Sequence, residues 1–153
     1  MNKLAAVLAG VWLGLQLGIG YVAVPVLFQH MGKMEAGAMA GSMFDFVAYT
    51  GLAVWLLLYF IGRHELGRSL MRSKTNKFVL LLLFLLAVNQ FLVTPVIEAH
   101  KSGGSNWLLS LLGGSFGQWH GTSSVIYAVQ LVGIGLGVSF AEAGLALSVK
   151  YTQ

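Results

Sequence analysis

The sequence contains no cysteine, which excludes disulfides, thiolate metal sites and thiol redox chemistry. Charge is also scarce: Asp, Glu, Lys and Arg make up 9% of the 153 residues, where a soluble globular chain carries about a quarter. Proline occurs only twice, at Pro25 and Pro95, and both lie near the end of an apolar run. No nucleophile elbow, phosphate loop, H-E-x-x-H pair or C-x-x-C-H is present, so the common hydrolase, nucleotide-binding, metalloprotease and c-haem signatures are missing. The net charge of +4 does not point to nucleic acid. Five of the nine basic residues (Arg63, Arg68, Arg72, Lys74 and Lys77) crowd one loop without interleaved aromatics.

What remains is hydrophobic, at 57% of the chain. Four apolar stretches, roughly residues 4–28, 39–61, 78–97 and 116–147, are each near or above the ~20 residues needed to cross a bilayer core. The expected fold is an all-α membrane protein, an antiparallel bundle of four transmembrane helices in one domain, residues 1–153. Lys3 before an apolar run imitates a signal peptide, yet the run continues through Phe28 without a cleavage pattern, so a retained first span is expected. With four spans, the side carrying both termini and the second loop holds seven basic residues, and the other side holds Lys33 and Lys101. The positive-inside rule then places both termini in the cytoplasm and the protein in a bacterial inner membrane. In the last outer loop, Trp107–Leu112 is too short to span. It is expected in the outer interface, with Trp107 at headgroup level.

Twenty glycines are costly in soluble helices and useful where membrane helices pack closely. Gly10, Gly14 and Gly18 form two overlapping G-x-x-x-G steps in the first span. Gly37, Gly41, Phe44, Ala48, Gly51 and Trp55 stripe the second, and Phe116, His120, Ser123, Tyr127, Gln130, Ile134 and Gly137 stripe the fourth. Such spacing favours close left-handed packing, and it leaves open whether the contact lies within the chain or between copies. Use within the chain is the expectation for the first stripe.

Ionisable residues inside spans are expensive and are candidate functional groups. Asp45 is expected about six residues below the outer end of the second span, about 9 Å deep, and His120 about one turn, or 6 Å, below that of the fourth. The two could meet in an outer-end pocket with Tyr21, Asn89, Thr94, Ser123 and Tyr127. Three readings of this pocket stay open: a polar core that fixes helix register, a metal or haem site through His120 and His30, or a path for protons or a small solute. His30 and His100 also read simply as loop residues, since interfacial histidine costs little. A Ser/His/Asp triad rests on three common residue types alone, so no catalytic residues are expected.

The chain resembles the four-span membrane proteins named after human transmembrane protein 205. The likeness rests on Trp12-x-Gly14, Pro25-x-x-Phe28, Ala36-Gly37 through Gly41-x-x-Phe44, Pro95, and Phe116-x-x-x-His120-x-x-Ser123. It implies four spans and no settled activity. The chain is more distantly similar to copper-resistance D-like membrane proteins, which include haem-binding protoporphyrinogen oxidases with a histidine early in the first span. The first seventeen residues here contain no histidine, so any axial ligation falls to His120 and His30. Three classes therefore stand: an accessory or structural membrane protein that packs against itself or a partner in a membrane complex, a copper- or haem-handling protein, and a small-solute or proton transporter.

Overall fold

The computed structural model describes residues 3–66 and 74–150, with side chains described for residues 4–61, 63 and 76–135. Among these residues every regular element is helical: α1 (Lys3–Leu17), a π turn (Gly18–Ala23), α2 (Val24–His30), α3 (Lys33–Leu66), α4 (Lys74–Val88), a second π turn (Asn89–Val93), α5 (Thr94–Ser102), α6 (Trp107–Leu112) and α7 (Phe116–Lys150). Among the described residues three continuous helices are long and apolar enough to cross a membrane: Leu4–His30, Lys33–Ile61 and Asn76–Ser102. The fourth expected span falls within α7. Its stripe residue Gly137, like Arg68 and Arg72 of the basic loop, lies outside the described side chains.

Both prolines act through the backbone in the same way. In an α-helix a proline lacks the N–H for the preceding turn, and its ring presses on the carbonyl four residues back. Each helix relieves this by widening into a π turn just before the proline. The Val24 N–H reaches back five residues to the Ile19 carbonyl, and the Thr94 N–H reaches back five to that of Asn89. The helices then resume without a cap. Pro25-Val26-Leu27 leading to His30 recurs as Pro95-Val96-Ile97 leading to His100.

The second span begins earlier than its hydropathy suggests. Lys33, Met34 and Glu35 are good helix formers, and Glu35 in the first turn suits the positive end of the helix dipole. Only Met31 and Gly32 separate α2 from α3. Asp45 therefore sits twelve residues into α3, about 18 Å along the axis from its first residue.

The chain divides into two compact units, Met1–Val54 with Leu131–Gln153, and Trp55–Gln130. In the first unit the contact face of α1 is Ala9, Trp12 and Gln16, all buried. Trp12 lies against α3, where its indole Nε1 donates to the Val47 carbonyl at 3.0 Å. That carbonyl is reachable because Gly51, one turn on, has no side chain. A Cβ there would fall 2.5 Å from the indole ring. On α3, the small buried positions are Ala36, Ala40 and Gly51. At Gly37 a Cβ would meet nothing within 4 Å.

The first glycine stripe is not the face that α1 turns to α3. At about 100° per residue, Gly10, Gly14 and Gly18 point almost opposite to Ala9, Trp12 and Gln16. All three glycines are exposed, and a Cβ at any of them would meet nothing within 4 Å among the described residues. A helix can present only one of the two faces to α3, and the indole with its hydrogen bond occupies that contact.

In the second unit the buried face of the third span runs Leu82, Leu86, Gln90, Val93, Val96, Ile97 and Ala99, so it continues straight through the π turn.

Candidate functional site

The best-defined polar arrangement lies in the second unit, where α5, α6 and α7 meet. Gly103, with φ 67°, ends α5, and Asn106 starts α6 by accepting from the N–H groups of Leu108 and Leu109 at 2.8 and 3.3 Å. α7 opens with a reciprocal cap. The Ser115 N–H donates to Gln118 Oε1 at 2.8 Å, and the Gln118 N–H donates to Ser115 Oγ at 3.3 Å. That satisfies donors the helix start would otherwise orphan. The turn between α6 and α7 uses Gly113 (φ 64°) and Gly114 (φ 101°), a backbone that side chains other than glycine rarely adopt.

Two side chains fasten that turn. Trp119 Nε1 donates to the Gly113 carbonyl at 2.9 Å. His100 places Nδ1 3.0 Å from the Val96 carbonyl and Nε2 3.2 Å from the Gly114 carbonyl. Both neighbours only accept. A neutral imidazole has one N–H and serves one of them, whereas the imidazolium serves both. The His100 ring meets Phe116 edge-on at 6.4 Å, and Phe116 stacks on His120 at 5.6 Å and 8°. His120 is otherwise exposed. The hydroxyls around it turn back on their own helix, Thr122 donating to the Gln118 carbonyl and Ser124 to that of His120, each at 2.9 Å. Nearby, Glu98 and Lys101 pair across one turn at 2.8 Å, partly exposed.

The residues expected to form one pocket fall in both units. Asp45 and Tyr21 belong to the first, where Asp45 is half-buried and engaged with other groups, and Tyr21 is 62% exposed. Asn89, Thr94, Ser123, Tyr127 and His120 belong to the second. There, Asn89 and Thr94 bracket the π turn, and Thr94 supplies its five-residue hydrogen bond. Asn89 Oδ1 is buried and has no hydrogen-bond partner among the described residues. Tyr127 is half-buried and makes contacts of its own.

Among the described residues no three His, Asp or Glu side chains are grouped to hold an ion. Both His100 nitrogens face carbonyl oxygens, His120 lies flat on Phe116, and His30 is exposed at the end of α2 in the other unit.

Matching the sequence to protein families decides its kinship. The model for a domain of unknown function, DUF4149, matches residues 7–106. The chain belongs to the DUF4149 family. The DUF4149 match takes in Trp12 and its Gly51 socket, both π–proline turns, His30, Asp45 and His100, and it stops before α6 and His120. No curated protein and no solved structure matches the chain.

Sequence reasoning underrated His100, because its second partner, Gly114, is only found once the turn is folded. Two signals were open to it: the Ser115-x-x-Gln118 capping pattern ahead of an apolar helix, and the repeated Pro-Val-Leu/Ile-x-x-His segment.

Proposed function

We propose that this DUF4149 chain is an integral protein of a bacterial inner membrane, crossing it four times with both termini cytoplasmic. Its role is structural or accessory: it holds a membrane helix of another chain against the outward glycine face of α1. The observation that carries the reading is the exposure of Gly10, Gly14 and Gly18 on the side of α1 away from its Trp12 contact. Lipid gains nothing special from a flat strip of glycine. A second helix gains close backbone approach and a large van der Waals contact. The asymmetry of basic residues supports the orientation. The likeness to the transmembrane protein 205 family belongs to this reading, and its first motifs fall inside the DUF4149 match.

The test is Gly14→Leu, assayed by size in mild detergent and by co-purification from membranes. The expected result is loss of a specific oligomer or partner while the chain stays folded. An unchanged assembly state would overturn the proposal.

One observation favours a second reading, transport of protons or a small solute. Two apolar helices each widen into a π turn before a proline, Pro25 and Pro95, and proline-marked apolar segments at corresponding positions are a pointer to binding sites in secondary transporters. Asp45, deep in α3, would carry the charge. The reading requires pH-dependent flux in liposomes that disappears in Asp45→Asn, and a wild-type protein without flux excludes it.

A further inference from the structure

The geometry points to α6 as an outer-leaflet anchor, a short helix that lies in the membrane interface and inserts into a neutral lipid surface. The inference rests on the reading of the chain as a membrane protein, and adds a lipid contact which that reading does not include. α6 has six residues, fewer than an isolated helix needs to persist in water. It is nevertheless held at both ends: the Asn106 side chain caps its start, and the Gly113 N–H closes its end on the Leu109 carbonyl at 2.8 Å. The bonds from Trp119 and His100 to Gly113 and Gly114 then fix the following turn to α7 and α5.

What this clasp holds in place is apolar and exposed. Trp107 and Leu111, one turn apart on the same face, are 66% and 71% exposed, and Leu112 is 65% exposed, whereas Leu109 on the opposite side is half-buried. A helix so placed packs by one side on the protein and offers the other outward. The occupant follows from position and charge. Four residues separate α6 from the apolar helix ending at Ser102, and three from the start of α7, so α6 cannot lie far from the membrane surface. No Asp, Glu, Lys or Arg occurs from Ser102 to Ala141, so insertion desolvates no formal charge and needs no anionic lipid. Tryptophan with leucine is the composition that partitions into the interface.

The absence of native cysteine makes the test direct. Single cysteines at Trp107, Leu111 and Ser105 carry a nitroxide in liposomes of zwitterionic lipid. Collision rates are read with oxygen, which concentrates in lipid, and with a water-soluble nickel chelate. The expected result is a rise in the oxygen-to-chelate ratio at positions 107 and 111 relative to 105, unchanged by salt. Chelate-dominated collision at 107 and 111 overturns the proposal, as does an immobilised label reached by neither reagent, which would mean a protein occupant. Labels at Phe46→Cys and Phe84→Cys, on exposed faces of α3 and α4, keep the two failures apart. If oxygen dominates there and not on α6, only the anchor falls. If the chelate dominates there as well, the membrane reading itself falls.

Discussion

The chain breaks a helix in the same way twice, and the two breaks are packed in opposite ways. In the first span neither the π turn nor α2 contains a buried residue. In the third span the π turn buries Gln90 and Val93, and α5 buries Val96, Ile97 and Ala99. The backbone answer to proline is local, so it repeats. What surrounds it depends on neighbours, so it does not. One copy of the device turns a helix end into core, and the other leaves Tyr21, Val22 and Val26 outward, beyond a glycine face that is also outward. The two copies thus differ, among the described residues, in what packs against them.

The largest effect is expected where the first span does have its contact. Gly51→Ala places a methyl against the Trp12 indole and should cost about 1–3 kcal/mol of folding free energy, as overpacking does. Denaturation in mixed detergent micelles measures it. Trp12→Phe keeps most of the volume and loses the bond to Val47, with an expected cost near ~1 kcal/mol. The comparison of the two breaks is sharpened by equivalent truncations. Val96→Ala, at a fully buried position, should cost roughly 1 kcal/mol, and Val26→Ala, 46% exposed, close to nothing. Equal losses would mean that Val26 is covered in the assembled protein. The clasp at the α6–α7 turn is tested by His100→Phe. It keeps the ring beside Phe116, removes the bonds to the Val96 and Gly114 carbonyls, and should cost about 0.5–1.5 kcal/mol. Faster proteolysis between α6 and α7 checks it.

Much of the helical framework was legible in the sequence, because twenty-residue apolar runs have few alternatives in a chain so poor in charge. Three of the expected spans are continuous apolar helices. The start of α3 was misjudged because Lys33 and Glu35 look like loop residues, although both are good helix formers. Helix rotation was the least legible feature. In water an apolar stripe reveals which face is buried. In lipid both faces are apolar, so Gly10, Gly14 and Gly18 could not be ranked against Ala9, Trp12 and Gln16 by pattern alone. The indole hydrogen bond to Val47 shows which of the two faces meets α3. The π turns were legible as trouble at Pro25 and Pro95, and illegible as a solution, because the widened turn appears only when the backbone is built.

The central claim is that the glycine face of α1 meets another helix, and a cysteine scan from Val7 to Gly18 in native membranes tests it most directly. One cysteine is introduced at a time, and disulfide-linked species are resolved on non-reducing gels. The account predicts crosslinking that peaks at positions 7, 10, 11, 14 and 18, falls to background at 9, 12 and 16, and is abolished by Gly14→Leu. A flat profile, or a maximum on the Trp12 face, would contradict it.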